Sequence, residues 1–238
     1  MTQEKTARSK RPFWQEFLIL GLGALLAVWL VTTFVARSFS IPSGSMEDTL
    51  QIGDRVLVER LTPRFGTIER GDIVVFDGTD SFSPEVSAPG ATSLVAKALA
   101  PLTRLLGLGP AKETDFIKRV VAVGGDRVVC CDAQGRLTVN GVALVEPYLH
   151  PGDVPSEVTF DVVVPAGRLW VMGDHRSASA DSRAHLGDPG GGTVSEDRVI
   201  GRAFLVSWPL SRFGTLGDPT GFDAVPDADP AQLDAVTG

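Results

Sequence analysis

The 238-residue chain is 43% hydrophobic and 21% charged, the balance of a folded protein with room for one catalytic domain plus an anchor, or for two small domains. Its formal net charge of -7 gives wholesale nucleic-acid binding no electrostatic support. That average conceals a basic start, Lys5, Arg8, Lys10 and Arg11 against Glu4, and an acidic tail after Gly217 with no basic residue.

Residues 1–12 read as a cytoplasmic basic segment and residues 13–36 as a transmembrane anchor. From Phe17 to Ala36 the chain runs twenty residues without a charge, about 30 Å as a helix, enough to cross the hydrocarbon core. Basic residues precede this run and only Arg37 follows it closely. The positive-inside rule therefore puts the N-terminus in the cytoplasm and the remainder outside. A cleavable signal sequence fits less well, because its apolar core is normally shorter. Cutting after Ala36 would leave bulky Phe34 third from the cut. Ser38-Phe39-Ser40 satisfies the small-x-small rule, but cleavage there would release the domain a few residues before Ser45.

Beyond the anchor, residues 37–212 read as one extracytoplasmic domain. The pattern turns short and alternating, rich in β-branched residues: 55–58, 72–76, 116–123, 127–129, 136–139, 158–164, 169–172 and 202–207. Turn signals such as Gly124-Gly125-Asp126 and Asn140-Gly141 separate them. The expected fold class is mainly β, an antiparallel-sheet catalytic domain behind one N-terminal transmembrane helix. An insert over 80–114 has a helix-like middle interrupted by Pro101; it reads as an amphipathic surface insertion, with an interfacial element on the bilayer as the sharper alternative. Residues 213–238, rich in Gly, Pro, Asp and Ala, read as a disordered tail. Adjacent Cys130 and Cys131 lack the spacing of a thiolate zinc site. On a strand their side chains point to opposite faces, which favours two reduced, packed thiols over a bridge.

Three stretches carry candidate chemistry. In Ile41-Pro42-Ser43-Gly44-Ser45-Met46, Gly44 permits a tight backbone that exposes a hydroxyl and aims amide N–H groups. A serine hydroxyl needs a base to become a nucleophile. Lys118 lies among apolar neighbours in Asp115-Phe116-Ile117-Lys118-Arg119-Val120-Val121, surroundings that disfavour the ammonium and make a neutral amine available. Gly173 to Arg183 is a dense polar loop after the apolar run Leu169 to Met172, and its Asp181 has Arg183 or Arg176 as partners. His150, His175 and His185 allow a histidine base by count alone; His175 reads as a loop hydrogen-bonder, and the other two are assigned nothing.

Taken in order, these stretches with Gly71-Asp72-Ile73-Val74-Val75-Phe76, Gly124-Gly125-Asp126, Val139-Asn140-Gly141 and Glu146-Pro147-Tyr148 resemble type I bacterial signal peptidase from about Arg37 to Ser207. The resemblance implies Ser45 as nucleophile and Lys118 as general base. It implies that the Ser43 hydroxyl and the Ser45 N–H hold the oxyanion, and that Ser179 orients the lysine amine. Asp181 and Arg183 would form a supporting ion pair, Met46 would sit at the substrate-facing edge, and Gly173 and Asp174 would be structural. His175, Ser177 and Ala178 depart from the Asn, Asp and Asn that many members carry. The implied activity is removal of N-terminal signal peptides from exported precursors through an acyl-enzyme, at the bilayer, with no cofactor and no metal. An anchor nine residues from Ser45 would keep the nucleophile within about 30 Å of the membrane and raise its effective concentration toward precursors.

Other readings are weaker. A serine–lysine β-lactamase or penicillin-binding protein places lysine three residues after the serine, where this chain has Asp48. A serine–lysine self-cleaving repressor needs a DNA-binding module in place of the anchor. Lys118 itself disfavours related peptidases with histidine as the base. A non-catalytic single-span scaffold remains the runner-up.

Overall fold

The computed structural model describes residues 13–30, 35–79, 81–82, 114–217 and 221–228. It opens with helix α1 (Phe13–Leu30), then strands β1 (Ala36–Ser40) and β2 (Arg55–Glu59), a single-turn helix α2 (Thr62–Phe65), β3 (Ile73–Asp77) and β4 (Asp115–Val123). Next come β5 (Arg127–Cys130), β6 (Leu137–Val139), β7 (Val142–Ala143), β8 (Phe160–Val163) and β9 (Arg168–Met172). The last strands are β10 (Val194–Ser195), β11 (Val199–Trp208) and β12 (Gly214–Thr215). Among the described residues, α1 alone is long and apolar enough to cross a membrane, with a mean hydropathy of 1.7 and no buried residue. The expected anchor reached Ala36, but Ala36 opens β1 and pairs with Glu59.

The strands form two antiparallel sheets. The larger runs β1-β2-β11-β3-β4-β9-β10, with β12 also on β11; the smaller runs β7-β6-β5-β8. β4 lies between β3 and β9, with Lys118 opposite Val74, so both sides of its backbone are paired. Its run from Phe116 to Ala122 is buried apart from Ile117, so both faces of the strand are covered and the buried Lys118 and Arg119 need partners inside the fold. One core cluster, with Trp170, Val128, Leu137 and Val139, bridges the two sheets. A second gathers Phe39, Ile41, Met46 and Leu50 against Val56, Val58 and Val75, seating the 41–54 loop on the large sheet.

Three expectations change. The tail is not simply disordered: β12 pairs with β11, and Phe222 and Val225 are buried in the core. The Phe222 ring stacks on Tyr148, and Arg70 and Asn140 donate to the Pro226 carbonyl at 3.2 and 3.0 Å. Composition averaged over the tail hides the two apolar side chains, Phe222 and Val225, that the described 221–228 segment buries. Cys130 and Cys131 are joined in a disulfide. The alternation argument fails there because β5 ends at Cys130, so Cys131 is not bound to the opposite face. Finally, Met46 is completely buried and faces the core rather than an open substrate edge. The remainder of the 80–114 insert lies outside the described residues, but Ser81, Phe82 and Thr114 are described. The Phe82 ring is buried against Phe76, Phe116 and His185.

Candidate active site

The 41–54 loop is pinned at both ends before it reaches the site. Ile41 N–H donates to the Asp54 carbonyl, and Gly53 N–H returns to Ile41, each at 2.9 Å. The buried Asp54 carboxylate accepts from Gln51 N–H and from Arg212 Nε, which also ties strand β11's exit to the loop. Inside this frame the Leu50 and Met46 side chains are fully buried, so Ser45 is held by its neighbour rather than left on a free loop. Its carbonyl accepts from His175 N–H at 3.2 Å.

Lys118 projects from the middle of β4 and meets this loop. Its Nζ donates to Ser45 Oγ at 2.6 Å, with the lysine 1% and the serine 2% exposed. The Ser43 hydroxyl lies 3.4 Å from Ser45 Oγ. Residues 73 positions apart in sequence thus share one buried contact. The Ser179 hydroxyl oxygen is also buried and lies beside the Asp181 carboxylate. It stands on the same wall: a Cβ at Gly173 would come within 2.3 Å of Ser179 Oγ and 2.4 Å of the Ser45 carbonyl. No side chain fits at 173, and this close approach of the Ser45 carbonyl and the Ser179 side chain to the Gly173 backbone requires glycine.

Ion pairs fix the polar loop behind the contact. Asp181 is fully buried and accepts from Arg183 Nε and Nη2, both at 2.8 Å, and from Gly173 N–H at 3.0 Å. Burial alone would raise its carboxyl pKa; the Arg183 guanidinium and the Gly173 N–H outweigh that and hold it below the usual carboxylate range. Of the two partners open to Asp181 from sequence, Arg183 takes it, while Arg176 pairs with Glu146 and donates to the Gly173 carbonyl.

A second pair was not singled out from sequence. Arg119 grips Asp174 and also donates to the Gly71 carbonyl at 2.9 Å. Its guanidinium lies 4.1 Å from the centre of the Tyr148 ring, and Thr49 donates to the same aspartate. The signal was available: an arginine next to the lysine inside an apolar strand needs a buried anion. The partner was not readable, because strand pairing decides which carboxylate it meets.

A serine hydroxyl and a lysine amine thus lie in direct buried contact, with charge pairs behind them on an antiparallel sheet. Residues 14–208 match the family described as signal peptidase, peptidase S26. The chain is 41% identical over 234 residues to "Probable signal peptidase I" of Mycobacterium leprae, spanning 87% of this chain and 81% of that protein. It is 40% identical over 227 residues to "Signal peptidase I" of Mycobacterium tuberculosis, spanning 87% and 77%. With "Probable signal peptidase I-2" of Synechocystis it shares 34% identity over 228 residues, spanning 94% and 88%. The chain belongs to the signal peptidase family, peptidase S26.

Proposed function

We propose that this chain is a membrane-anchored serine endopeptidase that removes signal peptides from exported precursors, with Ser45 as nucleophile and Lys118 as general base. The carrying observation is the 2.6 Å contact between Lys118 Nζ and Ser45 Oγ, with both residues almost wholly buried. An amine without hydration favours its neutral form. In that form the Ser45 O–H donates to Lys118 Nζ, and the proton moves to the amine as the oxygen attacks the scissile carbonyl.

The oxyanion of the tetrahedral intermediate is received by the Ser45 N–H and the Ser43 hydroxyl, donors of a kind worth roughly 3 kcal/mol each. Lys118 then gives its proton to the leaving amine, forming the acyl-enzyme, and takes one from the water that hydrolyses it. Ser179, with its hydroxyl buried on the same wall, orients the amine, and the Asp181–Arg183 pair stiffens the loop bearing Ser179. The N-terminus is assigned to the cytoplasm and the β-domain to the far side of the bilayer, on the asymmetry of basic residues around α1. Signal-peptide selectivity for small residues at the first and third positions before the cut follows from the family resemblance.

The test is cleavage of a precursor peptide by the full chain in detergent. Ser45→Ala and Lys118→Met are each expected to lose on the order of 10⁴-fold or more in turnover while melting like the parent. A scaffold would show no Ser45-dependent cleavage. The pH–rate profile should have an acidic limb, since protonated Lys118 cannot accept the serine proton; Ser45→Cys shifts that limb if the two groups titrate together.

A further inference from the structure

Glu47, His150 and His175 come from three segments, the turn after Ser45, the turn before Pro151 and the loop after β9. Each offers a ligand atom, and these atoms lie within 4.8 Å of one another. We propose that they form a binding site for a divalent transition-metal ion of the zinc class, and that occupancy restrains the Ser45 loop.

Several observations support this. The two imidazole rings stack with centroids 3.9 Å apart and 9° between planes, so they are neighbours from different segments, and one ring must turn out of the stack for both in-plane lone pairs to reach one ion. His175 Nδ1 lies 3.6 Å from Glu47 Oε2. Backbone carbonyls also meet each ring, Pro151 at 3.2 Å from His150 Nδ1 and Gly44 at 3.3 Å from His175 Nδ1. All three residues are partly exposed, which gives an ion access. Asp153, held by the Ser177 hydroxyl at 2.7 Å, adds negative potential near the two rings.

The donor set selects the ion. Two imidazoles and one carboxylate suit zinc and its neighbours, with a fourth position left to water, whereas calcium and magnesium require oxygen-rich shells. Zinc–nitrogen and zinc–oxygen bonds of about 2.0–2.2 Å require the three groups to draw together from their present spacing. The Glu47 side chain is 32% exposed, and its carboxylate already overlies Gly44, 3.1–3.2 Å from where a Cβ there would stand. An ion would therefore link Glu47, two residues past Ser45, to His175, whose N–H holds the Ser45 carbonyl, and to His150, whose N–H donates to the Asp174 carbonyl at 3.1 Å. Both sides of the nucleophile's loop would be tied to one point.

The experiment uses the full chain in detergent, purified without a histidine tag, stripped of metal and dialysed against increasing Zn²⁺, with bound zinc counted by mass spectrometry. One zinc per chain is expected, undisplaced by excess Mg²⁺. Binding should weaken at least tenfold in Glu47→Gln, His150→Asn and His175→Asn, whose folding is checked by thermal melting. Should one variant fail to fold, the other two decide. Less than one zinc per chain, or binding indifferent to these substitutions, overturns the site. In the parent chain saturating zinc should slow precursor cleavage, chelation should restore it, and His150→Asn should not respond. Zinc that binds without changing turnover overturns the restraint. The cleavage readout rests on the reading of Ser45 as nucleophile and the zinc count does not, so the two failures are separable.

Discussion

Arg119 holds Asp174 with two nitrogens, Nε to Oδ1 at 2.8 Å and Nη2 to Oδ2 at 2.6 Å, and neither residue is more than 3% exposed. One residue before the arginine is Lys118; one after the aspartate is His175, which carries the Ser45 carbonyl. The pair thus couples the strand bearing the proposed base to the loop supporting the proposed nucleophile. Removing one partner strands a buried charge. Arg119→Met should lower stability by about 3–5 kcal/mol, seen as a large drop in melting temperature. Arg119→Lys, which keeps charge but loses the fork, should fall between parent and Arg119→Met.

Gly173→Ala tests the crowding behind Ser45. The added methyl would overlap the Ser45 carbonyl and the Ser179 hydroxyl, pushing the proposed nucleophile off its position. Displacements of about 1 Å cost on the order of 10²-fold in rate. Turnover should therefore fall by about that factor, with a smaller effect on KM, in chain that still folds by circular dichroism.

The acid limit of stability should depend on Asp181. Its carboxyl is more acidic folded than unfolded, so its contribution is present above the unfolded value of about 4 and is lost as pH falls through the lower folded value. Asp181→Asn should be less stable by about 3 kcal/mol at neutral pH, since Arg183 loses its partner. The melting temperatures of the two proteins should converge in acid; parallel pH profiles would contradict this.

Docking of the acidic tail predicts a cost for Phe222→Ala. The ring is buried against the Tyr148 side of the core, and its removal should destabilise by about 3 kcal/mol. A chain ending after Gly217 should show at least that loss. Melting indistinguishable from the parent would mean that the tail contributes nothing.

Sequence patterns located most of the architecture because strands in this domain are long enough to show their composition. The segments expected at 55–58, 72–76, 116–123, 169–172 and 202–207 all correspond to strands. The missed ones, β1, β7, β10 and β12, are short or carry Arg and Ser, and are defined by the partner they pair with rather than by their own residues. Pairing itself was not legible: Glu59 meets Arg202, 143 residues away, and only the folded sheet establishes that register. The same limit governs the site. Motif order pointed to Ser45, Lys118, Ser43, Ser179, Asp181 and Arg183, whereas the Arg119–Asp174 and Arg176–Glu146 pairs depend on which loop crosses which strand.

Lys118 stands on an interior strand laced to β3 and β9, while Ser45 rides on a loop outside the sheet. Opening of backbone hydrogen bonds concentrates in loops and edges and reaches paired interior strands last. Any opening of the buried Lys118–Ser45 contact therefore belongs to the serine side. Lys118 is thus the fixed side of the contact, and the amide protons of the 41–54 segment should exchange with deuterium well before those of β4.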